Sequence, residues 1–277
     1  MIWGPNPEPP PGVALQEDLV FGTGGGHPLR LDLARPFGTD SARPAVVFIH
    51  GGGWKSADRT NGRPLILLLA SHGFVAVSID YRLSDQAGFP AQLEDAKCAV
   101  RFLRAHAEEL GVDPARIGAA GGSAGGHLAA LVGLVPADAG LEGEGGWEAE
   151  SSRVRAVADL YGISDVAVML EENLASDCAQ KLMRGTPEEK PELYRLASPL
   201  AWVKPGAPPF YLTHGDCDDV VPLSHSEKLA AALLAAGSEA RLRVIPGMAH
   251  GSIGTLPEVV REDVVEFFKA HLGGGHS

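Results

Sequence analysis

The chain has 277 residues, 23 of them basic and 35 acidic, for a formal net charge of −12 at pH 7. That balance argues against a nucleic-acid protein, which needs concentrated positive charge to neutralise phosphates, and against adsorption to anionic membranes. Three cysteines (Cys98, Cys178, Cys217) are too few and scattered for a disulfide scaffold or zinc ribbon, though one bridge is possible, and 45% hydrophobic residues suffice for a single large core.

The opening residues, MIWGPNPEPPPG, lack the basic and apolar segments of a targeting signal. Their prolines favour an extended arm, expected over residues 1–17. The most apolar run, Pro64–Ala70, is far too short to span a bilayer. The expectation is a cytoplasmic protein with no membrane or nucleic-acid partner. Leu19–Phe21 and Pro28–Leu33 read as two short strands around the glycine turn Gly24–Gly26. Ala45–His50 and Phe74–Asp80 are continuous apolar runs, as strands buried on both faces are. Between them Pro64–Ser71 suits a helix with proline in its first turn. Gln92–Leu110 has helical periodicity and stops at Gly111. Arg116–Ala120 is a strand and Ser123–Val135 a small-residue helix. Pro136–Ser152, acidic and glycine-rich, reads as a loop. Val154–Tyr161, Pro209–His214 and Ala240–Ile245 are further strands, with helices over Leu223–Ala236 and Pro257–Leu272. This alternation predicts an α/β fold: one domain with a mostly parallel sheet of about eight strands and helices on both faces. Ser164–Pro199 interrupts the rhythm as a small helical insertion, either a lid over a site or a solvated excursion.

Gly121-Gly122-Ser123-Ala124-Gly125 fits G-x-S-x-G, with a strand pattern before it and a helix pattern after. A serine at such a junction sits on a sharp, strained turn with its hydroxyl above the sheet. Side chains two residues to either side would clash with neighbouring backbone, and Gly121 and Gly125 avoid that. A small-residue turn in a glycine-rich chain is the plainer reading, so the motif needs partners. A serine hydroxyl needs a base, and the base an orienting acid, both from later in the chain. His214–Pro222 (HGDCDDVVP) follows an apolar strand and offers Asp216, Asp218 and Asp219, which spacing alone does not separate. His250 lies on the loop between the last strand and last helix, where a base is needed; His225 falls in a helical pattern and reads as a helix-face histidine. Acyl transfer also needs N–H donors for the developing oxyanion. The His50-Gly51-Gly52-Gly53-Trp54 turn supplies flexible backbone, making Gly52, Gly53 and the N–H of Ala124 the expected donors. Trp54 either lines the substrate pocket or packs the loop, and Tyr81 and Trp202 read as structural. No phosphate-loop, H-E-x-x-H or paired C-x-x-C spacing is present, so no cofactor or metal is expected.

Together these elements resemble the α/β-hydrolase superfamily, in particular the bifunctional feruloyl/acetylxylan esterase-like (BD-FAE) group, a neighbour of the hormone-sensitive-lipase-like carboxylesterases. The matching pieces run in family order: HGGGW at His50–Trp54, DYRL at Asp80–Leu83, VDPARIGAAGGSAGGHLAAL at Val112–Leu131, ASPL at Ala197–Leu200, HGDCDDVVP at His214–Pro222 and GMAHG at Gly247–Gly251. The resemblance implies a Ser123–His250–Asp218 triad, since the second aspartate of the family loop is its acid. Asp219 stands where the family commonly has proline, so the adjacent acid is the alternative. It implies a carboxylesterase acting on small, short-acyl or aryl esters, as a monomer or small homo-oligomer. The alternatives are an amidase or arylformamidase on the same residues, or a ligand-binding member without turnover.

Overall fold

A computed structural model describes residues 7–38, 41–171, 176–251 and 253–273. The sheet begins with the hairpin β1 (Val13–Gly24) and β2 (His27–Pro36), continues through β3 (Arg43–Ile49), and has helix α1 (Arg63–Ser71) before β4 (Val75–Ile79). Helices α2 (Ala91–Ala105) and α3 (Ala107–Leu110) lead to β5 (Val112–Gly122), which runs into α4 (Ala124–Leu134) and then β6 (Val157–Leu160). Three short helices follow, α5 (Val166–Glu171), α6 (Ser176–Met183) and α7 (Pro191–Ala197), before β7 (Phe210–Gly215), α8 (Ser224–Ala235), β8 (Ala240–Ile245) and α9 (Glu258–Leu272). The strand order is β1-β2-β4-β3-β5-β6-β7-β8. The β1–β2 and β2–β4 pairs are antiparallel, and the pairs from β4 through β3 to β8 are parallel.

The buried runs explain the centre of the sheet. Every residue of β4, β6 and β7 is buried, so each strand must be covered on both faces. Leu93, Leu128 and Leu229, from α2, α4 and α8, pack on one face. Leu65 and Ile66 of α1, with Val260, Val264 and Phe268 of α9, pack on the other. Among the described residues no helix is long and apolar enough to cross a membrane.

Three expectations need correcting. The two opening strands are longer than their apolar residues suggest, because β1 and β2 form a hairpin with one half-exposed strand closed by Gly25 and Gly26, both at positive φ. Residues 13–17 of the expected arm are therefore strand; its first six residues lie outside the described part. The helix expected over Gln92–Leu110 breaks at His106, whose ring Nδ1 donates to the Phe102 carbonyl at 3.0 Å and competes with the backbone for it. The Pro136–Ser152 loop is pinned by Glu142, which pairs with buried Lys97 (2.6 Å) and Arg101 (3.0 Å). The helical insertion is present as α5, α6 and α7, with residues 172–175 outside the described part. Cys98, Cys178 and Cys217 are all free thiols.

Candidate active site

β5 ends at Gly122 and α4 starts at Ala124, so Ser123 alone makes the turn. Its backbone adopts φ 56°, ψ −122°, a conformation costly for a residue with a Cβ. The surrounding glycines make the turn possible. A Cβ at Gly121 would run into the Gly125 carbonyl, and one at Gly125 into the carbonyls of Ile49 and His50. The Ser123 N–H donates to the Leu160 carbonyl at 2.9 Å, tying the turn to β6.

His250 Nε2 lies 3.0 Å from Ser123 Oγ, and His250 Nδ1 lies 2.7 Å from Asp218 Oδ2. A carboxylate only accepts, so Nδ1 carries the proton and Nε2 accepts the serine O–H. Asp218 stands at the carboxyl end of the sheet, in the loop after β7. Its Oδ1 accepts the backbone N–H groups of Val220 (2.9 Å) and Val221 (2.8 Å). Burial opposes ionisation here, but hydrogen bonds from His214, His250, Val221 and Val220 outweigh it and hold the carboxyl well below the usual range. The competing aspartates have other surroundings: Asp216 Oδ1 accepts the Gly247 N–H at 2.6 Å, and Asp219 is exposed.

The loop after β3 approaches the same serine. A Cβ on Gly51 would come 3.3 Å from Ser123 Cβ and 2.8 Å from the Gly122 carbonyl. Gly52 (φ 97°), Gly53 (φ 61°) and Trp54 (φ 57°) form a left-handed run. The Gly52 carbonyl accepts the N–H of Lys55 (3.2 Å) and of Ser56 (3.1 Å), turning it into the loop. Ala124 opens α4, where N–H groups have no intrahelical partner and the helix dipole favours negative charge. Tyr81 supports the loop from below, its hydroxyl donating to the His50 carbonyl at 3.1 Å and its ring stacked on His50 at 4.3 Å.

These groups border a cavity of about 660 Å³ that contains Ser123, His250, Gly52, Gly53 and Ala124 in its wall. Ile163, Met169, Cys178 and Val221 make one part of the wall apolar; Thr60 and Asn61 belong to a polar part. Met169 and Cys178 come from the helical insertion, and Lys55 of the glycine loop pairs with Asp177 of α6 at 2.7 Å. Trp54 borders the cavity but is only 1% exposed, with its indole Nε1 donating to His127 Nδ1 at 3.2 Å. Trp202 Nε1 donates to the Leu196 carbonyl. Among the described residues no group of three or more His, Cys, Asp or Glu side chains stands close enough to hold a metal ion.

Four residues beside the site have no role in the sequence reading. Tyr161, at φ 47°, places its ring edge-on to His250 at 5.2 Å, buried against it. His127, fully buried, links Trp54 to α7 through the Ala197 carbonyl (2.7 Å). His214 lies in β7, behind Asp218, and Asp159 is buried in β6. Tyr161, His127 and Asp159 have no short sequence signature, because their contacts come from segments distant in sequence; His214 opens the HGDCDDVVP segment, whose pattern does not reveal that its imidazole turns back on that loop. His225 is buried on α8, not on an open helix face, and its Nδ1 accepts the Ser164 N–H at 3.3 Å.

The strand order, the crossover helices and the serine turn define the α/β-hydrolase fold. Residues 31–233 match the BD-FAE family, and the chain belongs to it. Esterase LipQ of Mycobacterium tuberculosis is 34% identical over 82% of this chain and 54% of its own length. Isoprenylcysteine alpha-carbonyl methylesterase ICME of Arabidopsis thaliana is 31% identical over 80% of this chain and 53% of its own length. The chain thus spans about half the length of the curated relatives it matches. A truncated carbohydrate esterase from gut microbiota superposes with a TM-score of 0.83 at 28% identity, covering 94% of this chain and 97% of that one. Propionate-bound esterase 2 of Thermogutta terrifontis gives 0.78 at 30% identity, covering 95% of each chain.

Proposed function

We propose that this chain is a serine carboxylesterase acting on small esters with short acyl or aryl groups. The observation that carries the reading is the unbroken path from Ser123 Oγ through His250 to Asp218, at 3.0 and 2.7 Å, on the wall of a cavity beside a glycine loop. His250 Nε2 takes the hydroxyl proton as Ser123 Oγ attacks the ester carbonyl. Asp218 holds the tautomer and stabilises the imidazolium. The N–H groups of Gly52, Gly53 and Ala124 receive the oxyanion. Collapse of the tetrahedral adduct breaks the bond to the alcohol oxygen, which leaves with the proton from His250. Water, deprotonated by the same imidazole, then attacks the acyl-enzyme, and Ser123 regains its proton as the acid departs.

A cavity of about 660 Å³ suits a small ester. We read α5, α6 and α7 as its cover, since they bring Met169 and Cys178 to the wall. The neighbours named as esterases, one of them holding propionate, support an ester bond and a short acyl group. The test is hydrolysis of p-nitrophenyl acetate, butyrate and octanoate by the wild type and by Ser123→Ala, with the matched anilide as comparison. Turnover falling from acetate to octanoate and abolished by the substitution is expected. Faster cleavage of the anilide would replace the reading with an amidase. Undiminished turnover in Ser123→Ala would remove it.

A further inference from the structure

Asp218 Oδ2 has two histidines beside it. His250 Nδ1 is 2.7 Å away on the cavity side, and His214 Nε2 is 3.3 Å away on the buried side. His214 is 0% exposed. Its Nε2 is also 2.8 Å from the Val221 carbonyl, and its Nδ1 is 2.7 Å from Ser226 Oγ. A carbonyl can only accept, so Nε2 must carry a hydrogen whatever the state of Nδ1. That N–H is donated to the Val221 carbonyl, and Asp218 Oδ2 stands 3.3 Å from the same nitrogen as a longer, charge-assisted contact. The Val221 N–H meanwhile donates to Asp218 Oδ1. His214 thus grips both ends of the loop that carries the acid, and Ser226 of α8 fixes the ring. The other ionisable groups facing His214 are Asp159 from β6 and His225 from α8; His250 reaches it through Asp218.

We propose that His214 is a positioning residue of the acid–base pair: its Nε2–H, donated to the Val221 carbonyl, braces the peptide whose N–H grips Asp218 Oδ1, and its closeness to Oδ2 keeps that oxygen in register with His250 and withdraws charge from it. This rests on the esterase reading. His214 is fully buried and does not border the cavity, so it touches no reacting atom and acts through Asp218. Losing the Val221 bond together with the contact to the charged Asp218 costs about 10- to 100-fold in an equilibrium or rate that depends on them. The loss falls on kcat, because neither His214 nor Asp218 borders the cavity.

The position of the side-chain nitrogens provides the test. A glutamine amide sits where Nε2 sits and keeps the donor without titrating; an asparagine amide sits where Nδ1 sits and loses it; leucine loses both. His214→Gln is expected to keep kcat within about 3-fold of wild type, with its pH profile unmoved. His214→Asn and His214→Leu are expected to lose about 10- to 100-fold in kcat at nearly constant KM. Their acidic limb is expected to move to higher pH, because a carboxylate relieved of one donor binds the His250 proton more strongly. Ser226→Ala, which frees the ring without removing it, is expected to show a smaller shift of the same sign and covers the case in which His214→Leu fails to fold. A hole in the core would instead lower activity at all pH values and leave the limb in place. Folded His214→Asn with unaltered kcat and limb, or His214→Gln as impaired as His214→Leu, overturns the proposal. If the wild type turns over no ester, the esterase reading fails by itself. The low-field proton resonance of the His250 Nδ1–H bridge then decides the positioning role without activity: retained in His214→Gln and displaced in His214→Asn, or unmoved in both.

Discussion

Trp54 and His127 meet edge-on, ring centroids 5.1 Å apart, with the indole N–H donated to imidazole Nδ1. Burial lowers the His127 pKa to about 4, so the ring is neutral at ordinary pH, and its Nε2–H goes to the Ala197 carbonyl. One imidazole thus joins three segments: the glycine loop, helix α4 that follows Ser123, and the end of α7. The tryptophan fixes the loop's left-handed backbone and has little surface left for a ligand.

Replacing Trp54 by phenylalanine removes the N–H while keeping a ring. The unpaired, buried Nδ1 of His127 should cost about 1–3 kcal/mol of stability, read by urea unfolding. If Gly52 and Gly53 supply oxyanion donors, the loosened loop should also cost about 10- to 100-fold in kcat on p-nitrophenyl acetate. Full stability with full kcat would show that the loop holds its shape without this bond.

The glycines around Ser123 differ in what they can tolerate. A methyl group at Gly125 would meet the carbonyls of Ile49, the last residue of β3, and His50, both closer than any real contact, and neither can retreat without distorting the sheet. Gly125→Ala is expected to lose about 3 kcal/mol or fail to fold. A methyl at Gly254, also on the cavity wall, meets nothing within 4 Å, so Gly254→Ala should fold normally. Thermal melts of the two side by side check the contrast, and equal midpoints would discount the packing argument.

Three adjacent acids are open to separation by charge-neutral variants. If Asp218 is the triad acid, as the proposed function has it, Asp218→Asn is expected to cost about 10⁴-fold in kcat. Asp219→Asn should stay within about 2-fold, because that side chain is exposed. Asp216→Asn should lose about 1 kcal/mol of stability with the bond to Gly247, and little activity. The depressed pKa of Asp218 adds a pH signature. Its stabilisation is complete above the unfolded value of about 3.9 and is lost as pH falls toward the lower folded value. Acid unfolding of Asp218→Asn should lack that component. If Asp219→Asn is instead the inactive variant, the loop works differently from its geometry here.

The sequence shows the centre of the sheet most clearly, since β3 and β4 are continuous apolar runs that fit only between two helical layers. Ser123 and His250 are legible because each belongs to a chain-local motif at a strand end. The choice among Asp216, Asp218 and Asp219 is not local: it depends on which carboxylate faces His250 across 32 positions of sequence. The half-exposed hairpin strand and the break at His106 escape detection because apolar periodicity does not register side-chain bonds to backbone. Trp54 and His127 form their bonds between elements far apart in sequence, and nothing in their immediate neighbours announces them; His214 stands inside the HGDCDDVVP segment, but that pattern does not show which of its side chains the imidazole touches.

Asp159 offers the sharpest stability test. It is 1% exposed in β6, packed against Gly126 and Gly162, and neither carboxyl oxygen makes a well-formed hydrogen bond. Burial pushes its pKa up to about 7, with nearby His214 and the Gly162 N–H opposing only in part. Between about pH 4 and 7 the folded chain therefore keeps a proton that the unfolded chain releases, so stability falls as pH rises through that window. A shift of that size corresponds to about 4 kcal/mol at its upper limit. Asp159→Asn has nearly the same shape and cannot ionise. Its urea midpoint should vary less than that of the wild type between pH 5 and 8, and it should be the more stable of the two at pH 8. A variant less stable than wild type at pH 8 would mean that the ionised carboxylate has a partner in the folded protein.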